Sequence, residues 1–298
     1  MHTAKLTLAA ISSAVEAAQE DGHRTHLGAS LIGRSCARQL WYVFHWAQRE
    51  RHEARMLRLF NRGHHEEARF VSYLRDIGVE VWEVDPANGK QWRISDVGGH
   101  FGGSLDAVGR GLPDLDPGEG FLCEFKTHND KSFGKLKEDG LMRAKWEHFV
   151  QMQVYMTKMG LRYAAYFAVN KNDDELFVEI VENDGVEGPR AIARAESIIK
   201  AVMPPPRVNE SAAHWACKFC HFNRLCQHGE AGAVERSCRT CEFGTPSTIP
   251  AADGEAVWLC KHISCMERLD AGRLNKAAQQ AACHHHTVHP ALREGRQP

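Results

Sequence analysis

The segment GFLCEFKTH, residues 120–128, constrains this chain more than any other. Its alternation reads as a β-strand with Phe121, Cys123 and Phe125 on one face and Leu122, Glu124 and Lys126 on the other. A core-facing strand keeps charges off its length, so Glu124 and Lys126 have either water or a purpose. Just upstream, GGSLDAVG at 102–109 reads as a second strand carrying Asp106, joined to the first by a Pro/Gly/Asp-rich loop from Gly111 to Gly120. Two neighbouring strands therefore each carry an acid, with a lysine two residues after the second.

Around this pair the patterning alternates between helix and strand. LTLAAISSAVEAAQ has helical periodicity, and CARQLWYVFHWAQRERHEARMLRLF reads as continuing helix with few breakers. Between them HRTHLGASLIGRS is a loop in which Ser35 can cap the following helix. GHHEEARFVSYLRDIG reads as a further amphipathic helix with Ala68, Val71 and Leu74 inward. Strand candidates VEVWEV, QWRIS, GGSLDAVG and FLCEFK follow, then a helix from about Lys145 to Met159, strands RYAAYFAV and ELFVEIV, and a helix ending before the prolines at 204–206. This order predicts an α/β domain with a mixed sheet flanked by helices.

Composition narrows the class. With 298 residues, 43% hydrophobic and 25% charged, the chain can bury a sizeable core. No apolar run approaches the roughly 18 residues that span a bilayer, and no secretory layout opens the sequence, so the expectation is a cytoplasmic protein with no membrane partner. A net charge of −1 excludes a uniformly basic nucleic-acid binder. Any such affinity must come from local patches: Arg34 to Arg69, with eight arginines against four glutamates, and Lys126 to Lys145, with six bases against three acids.

Two carboxylates and an ammonium on adjacent strands match what phosphodiester hydrolysis requires. A hard divalent cation takes oxygen ligands, neutralises developing charge and helps make hydroxide at neutral pH. Asp106 and Glu124 can supply the oxygens, and Lys126 can position or help deprotonate the water. On the helix from Lys145, His148, Gln151 and Tyr155 share one polar stripe opposite an apolar stripe of Phe149, Met152, Met156 and Met159. His64 and Glu67, three apart on the earlier helix, share one side. His64 can complete the metal shell, and an imidazole there tilts preference toward manganese over magnesium.

The ordered set RGHHEE, GGSLD, EFK and QMQVYM resembles the PD-(D/E)XK nuclease superfamily in its RecB-like exonuclease branch, over about residues 25–230. The resemblance implies a restriction-endonuclease-like core, a Mg2+ or Mn2+ held by His64, Asp106 and Glu124, and Lys126 as the catalytic lysine. It makes Gln151 and Tyr155 the branch's QxxxY element. Of the adjacent Glu66 and Glu67 only one can point inward, and Glu67 is assigned to the site. Arg34, Arg38, Arg62 and Lys131 would grip backbone phosphates without reading sequence.

Ten cysteines in a reducing compartment point to metal rather than disulfides, and eight of them fall after residue 215. CKFCHFNRLC supplies Cys217, Cys220 and Cys226, one thiolate short of a four-iron cluster. The branch's iron-sulfur members take the fourth from far upstream, which here implies Cys36 in IGRSCARQLWY. A rival grouping, Cys217, Cys220, Cys238 and Cys241, has the spacing of a zinc module but strands Cys36 and Cys226. With the cluster on the first four, Cys238 and Cys241 open a second, structural zinc site with Cys260. Its fourth ligand is Cys283, Cys265, His262 or His286, with Cys283 favoured. Cys123 is read as a core thiol.

The implied organisation is a helical region at 1–62 contributing one cluster cysteine, a nuclease core at 63–206, an iron-sulfur segment at 207–230 and a small cysteine-rich zinc-binding tail at 231–298. The implied function is a metal-dependent DNA exonuclease acting on free ends, in phage DNA recombination or replication, with a recombination or replication protein as partner. A site- or structure-specific endonuclease and a non-catalytic DNA-binding assembly protein are the alternatives on the same fold.

Overall fold

In the computed structural model, which describes residues 3–19, 23–230, 234–266 and 272–293, the GFLCEFKTH segment is a central strand. In chain order the helices are α1 (Lys5–Ala17), α2 (Ala37–Phe44), α3 (Ala54–Asp76), α4 (Asp130–Ala144), α5 (Trp146–Met159) and α6 (Glu187–Lys200). The short α7 (Trp215–Lys218), α8 (Asn223–His228), α9 (Ile263–Met266) and α10 (Lys276–Ala281) follow. The strands are β1 (Leu27–Gly28), β2 (Glu80–Trp82), β3 (Arg93–Asp96), β4 (Phe101–Ser104), β5 (Ala107–Arg110), β6 (Gly120–His128), β7 (Tyr163–Asn170) and β8 (Leu176–Glu182). Near the C-terminal end lie β9 (Gly244–Ser247), β10 (Val257–Cys260) and β11 (Arg273–Leu274).

The chain divides into two units, each assembled from separated segments. The first comprises Met1–Gly22, Glu50–Ile94 and Ser104–Gly188, and the second His23–Arg49, Ser95–Gly103 and Pro189–Pro298.

The first unit is built on a mixed sheet in the order β2-β5-β6-β7-β8, with only the β6–β7 pair parallel. A parallel pair needs a long crossover, and α4 and α5 provide it. One face of the sheet carries Phe121, Cys123, Phe125, Ala165 and Phe167 into a core with Phe70, Val71 and Leu74 of α3. Phe70 and Phe125 stack 5.3 Å apart. The other face packs on α4 and α5, so β6 is covered on both sides and its alternation separates two interiors rather than core from water. Gly109 of β5 is fixed by this packing: a Cβ there would stand 2.5 Å from the Phe121 ring.

The long helical run from Cys36 breaks between Phe44 and Ala54, and α3 then continues unbroken through GHHEEARFVSYLRD. Trp46 makes the break, at φ 52°, because its indole donates to the Arg24 carbonyl (2.9 Å) and stacks on His23. Tertiary packing there outweighs helical propensity. Ala68 is exposed, while Val71 and Leu74 are buried as their spacing predicts. GGSLDAVG is two strands, β4 and β5, with Asp106 in the step between them. Helix α4 is an element the sequence reading left unassigned; Asn129 caps it by accepting the Ser132 N–H (2.9 Å), and Gly140, at φ 72°, turns the chain toward α5.

The second unit has less regular structure. β1 pairs parallel with β4, and β9, β10 and β11 form a small antiparallel sheet. Its interior is aromatic: Trp41, Phe44 and Trp258 are buried around Arg239, which is 1% exposed. The guanidinium lies 4.0 Å from the Trp46 ring centroid and 4.8 Å from that of Trp258. It donates to Gln279, the Phe44 carbonyl and the Thr25 carbonyl, so the buried cation is both caged and hydrogen-bonded.

Candidate active site

The three residues singled out on the two strands converge in the first unit. Register sets the arrangement: Ala107 lies opposite Cys123, which places Asp106 at the end of β5 beside Glu124. The Phe125 N–H donates to Asp106 Oδ2 (2.8 Å), holding that carboxylate against β6. Lys126 is ion-paired with Glu124, and its Nζ is 3.8 Å from Asp106 Oδ2. Backbone alternation puts Glu124 and Lys126 on one face, so the pairing is a direct result of the ExK spacing.

Glu124 is fully buried. Gln151 Nε2 on α5 donates to its Oε1 (3.0 Å) and also to the Tyr155 hydroxyl (3.4 Å). Glu124 Oε2 is buried with no hydrogen-bond partner among the described residues. Burial is the main cause that pushes the Glu124 carboxyl up to about 7; Lys126 opposes it and Asp106 reinforces it. Lys126 is held well above the usual ammonium range by Glu124 and Asp106, against the cost of its burial.

Helix α3 contributes the next acid. Glu67 is raised by burial and then by Asp106, and it also feels Lys126, which places it at the edge of the carboxylate group. Glu66 turns instead to Arg69 (2.8 Å). His64 Nδ1 is 3.3 Å from Glu67 Oε1, and its side chain is 74% exposed, so it stands at the rim. The polar stripe expected on α5 is not a wet face: Gln151 and Tyr155 are buried together with Phe149, Met152 and Met156. The helix is enclosed on both sides, and Gln151 points at Glu124 while Gln153 turns the other way to donate to the Glu182 carbonyl (2.9 Å).

Of the phosphate-gripping residues, Arg62 and Lys131 are exposed, with Arg62 donating to the Lys171 carbonyl. Arg34 is half-buried. Arg38 departs from expectation: it is 6% exposed and its Nε donates to the Pro205 carbonyl (2.6 Å), so it serves the interior of the second unit.

The cysteines gather in the second unit. Cys36, Cys217, Cys220 and Cys226 line one cavity with Tyr42, Arg207 and Phe222. The Gln39 N–H donates to Cys36 Sγ (3.4 Å), and Gln227 Nε2 donates to Cys217 Sγ (3.7 Å). Burial is the main cause that raises the Cys220 thiol, with Cys36, Cys226 and Cys217 adding to it. Cys238, Cys241, Cys260 and Cys283 line a second cavity with His262, His285 and His286. There Cys238 is pushed up to about 12, by burial first and then by Cys260, Cys241, Cys283 and Cys265. Cys265 donates to Cys283 Sγ at 3.7 Å. Among the described residues no three His, Cys, Asp or Glu side chains are arranged so that they could hold a metal ion. No helix of the described residues is long and apolar enough to cross a membrane.

One group of polar side chains went unread in the sequence. Tyr166, in the apolar run RYAAYFAVN, is fully buried and lies opposite Glu124 in the parallel β6–β7 register. Its hydroxyl meets His128 Nε2 (2.8 Å) and His148 Nδ1 (2.9 Å). The pleat could have placed Tyr166 beside Glu124 only with the β7 register known.

No family model matches the chain, and no curated protein does. Solved structures show likeness at low identity. The protein SSO0001 is 18% identical, with a TM-score of 0.44, over 75% of this chain and 97% of its own. LHK-Exo in complex with dAMP is 18% identical, TM-score 0.43, over 64% of this chain and 90% of its own. The alkaline exonuclease LHK-Exo from Laribacter hongkongensis is 19% identical, TM-score 0.41, over 62% and 90%.

Proposed function

We propose that this chain is a metal-dependent deoxyribonuclease with a restriction-endonuclease-like core in its first unit. The observation that carries the reading is the orphaned Glu124 Oε2, buried beside Asp106 and Lys126. A buried acceptor without a donor costs about 1–3 kcal/mol, and a cation removes that cost. Glu124 and Asp106 would hold Mg2+ or Mn2+, with Glu67 and His64 supplying the outer edge. When bound, the ion supplies charge neutralisation at the phosphate and a lowered water pKa. Gln151 fixes the Glu124 carboxyl through Oε1 and leaves Oε2 available. Lys126, held protonated between two acids, donates toward charge developing on the phosphate, and Tyr155 steadies Gln151 from below. Arg34, Arg62 and Lys131 are proposed backbone-phosphate contacts.

Two further groups belong to this reading. Cys36, Cys217, Cys220 and Cys226 would carry a 4Fe-4S cluster; four thiols lining one cavity, two of them accepting N–H hydrogen bonds at sulfur, support it. Cys238, Cys241, Cys260 and Cys283 would hold structural zinc, with Cys265 hydrogen-bonded behind Cys283. Both assignments require the side chains to rotate inward on loading. Anaerobically purified protein should be brown and Cys36→Ala should bleach it; colourless protein containing only zinc removes the cluster.

We assign exonuclease action on free DNA ends, in phage recombination or replication alongside a partner protein, on the resemblance of the ordered motifs alone. The test is degradation of end-labelled linear and covalently closed circular DNA with Mn2+, Mg2+ or EDTA. Metal-dependent loss of linear DNA only, reduced at least about 100-fold in Lys126→Ala, is the expected result. Cutting of the closed circle makes the protein an endonuclease. Metal-independent binding without cutting makes it a DNA-binding assembly protein.

A further inference from the structure

The buried cluster around Tyr166 has a direction. Lys145 Nζ donates to Ser132 Oγ (2.6 Å), and an ammonium can only donate. Ser132 Oγ therefore accepts from Lys145 and has one hydrogen left, with His128 Nδ1 at 3.0 Å to receive it. His128 is kept neutral, pushed down to about 4 by burial and by Lys145, Lys126 and Lys171, so its proton sits on Nε2. That N–H donates to the Tyr166 hydroxyl, whose own hydrogen goes to His148 Nδ1. With Nδ1 accepting, neutral His148 must carry its proton on Nε2. Every member is satisfied in this direction; the reverse one leaves the Ser132 hydrogen without an acceptor.

The end of this wire lies next to the carboxylates. His148 is one helical turn before Gln151, which holds Glu124, and the two share a face of α5. After burial, Lys126 is the largest influence lowering His148, which places the imidazole in that ammonium's field. His148 is half-buried, and its Nε2 makes no hydrogen bond among the described residues.

We propose that His148 is a further catalytic residue, presenting a neutral Nε2–H to a phosphate oxygen of the DNA strand held at Glu124 and Lys126, while Lys145, Ser132, His128 and Tyr166 act as positioning residues that fix its tautomer. This rests on the nuclease reading for the identity of the ligand. The tautomer itself does not depend on that reading. A neutral N–H suits a site that already holds Lys126: it adds a directed donor without adding like charge.

The experiment uses 15N-histidine protein, with the His148 resonances identified by their loss in His148→Gln. Wild type should show His148 protonated on Nε2 alone at neutral pH, and Tyr166→Phe should turn it into a tautomer mixture. A proton on Nδ1 in wild type overturns the proposal. A saturating short oligonucleotide in EDTA should shift the His148 Nε2 signal, and no shift overturns the contact. In single-turnover cleavage, His148→Ala should lose about 10- to 100-fold with His148→Gln recovering part of it; unchanged rate and DNA affinity also overturn it. Should wild type cut no DNA at all, the nuclease reading falls, and the NMR arms still decide the wire and the contact.

Discussion

The carboxylate site and the cysteine sites are assembled by different physics. Glu124, Lys126 and Gln151 sit on a paired strand and a long helix with Asp106 at the edge of β5, and backbone register brings the three charged groups together. Apart from Cys260, which ends β10 opposite Gly244, the cysteines proposed as ligands sit on loops, a 3-10 turn and short helices, where little backbone pairing fixes them. One site is organised before any ligand arrives. The other, on the metal assignment, is organised by its ligand, as small loop-rich modules generally are.

On the metal assignment, removing metal from the second unit should have the largest effect. Zinc-free protein, or Cys238→Ser, should lose a free energy on the order of 10 kcal/mol from the second unit, so in calorimetry that unit should melt in a separate transition at lower temperature than in the loaded protein. A single unchanged transition would mean that the aromatic interior holds the unit without metal. Arg239→Ala should follow, at about 3–5 kcal/mol, because it leaves the Gln279, Phe44 and Thr25 acceptors unpaired within a ring cage; urea titration reads it. Arg239→Lys should recover little, since an ammonium lacks the planar fork.

Cys123 sharpens the contrast among thiols. It is fully buried in the first unit between Phe121 and Phe125, and burial holds its thiol far above the usual range. Cys123→Ser should cost about 1–3 kcal/mol while leaving unchanged whatever iron and zinc the proposed cysteine sites bind, as read by elemental analysis. The smallest effect concerns protons at the carboxylates. On the proposed function a cation would bind ionised Glu124, whose carboxyl is raised to about 7, so below that pH a proton competes. Mn2+ affinity should rise about ten-fold per pH unit from 5 to 7, or about 1.4 kcal/mol each, and level off above; isothermal titration in buffers of different ionisation enthalpy should show a proton released at pH 6 and almost none at pH 8.5.

The same contrast explains what the sequence disclosed. Glu124 and Lys126 were legible because a period of two is unambiguous in a strand this apolar, and Asp106 because the turn-rich loop at 111–119 marks β5 and β6 as neighbours. Gln151 followed from helical spacing to Tyr155, although its burial did not. The break at Trp46 was hidden, because the His23 stacking and the Arg239 cage that reward it come from distant segments. Arg38 read as a surface arginine for the same reason: its partner, the Pro205 carbonyl, is 167 residues away. Helix α4 was obscured by Gly134 and Gly140, which weaken its pattern. Tyr166 carried no local signal, since only the parallel register gives it neighbours.

The interleaving of the two units has a consequence in time. All segments of the first unit have been synthesised once residue 188 is made. The second needs Pro189 onward to meet His23–Arg49 and Ser95–Gly103, so its early segments emerge from the ribosome long before their partners exist. At roughly 5–20 residues per second, the last hundred residues occupy about 5–20 s of translation. Throughout that interval Cys36, Trp41 and Phe44 wait without the thiols and rings that later surround them, and it is then that the nascent chain most needs protection.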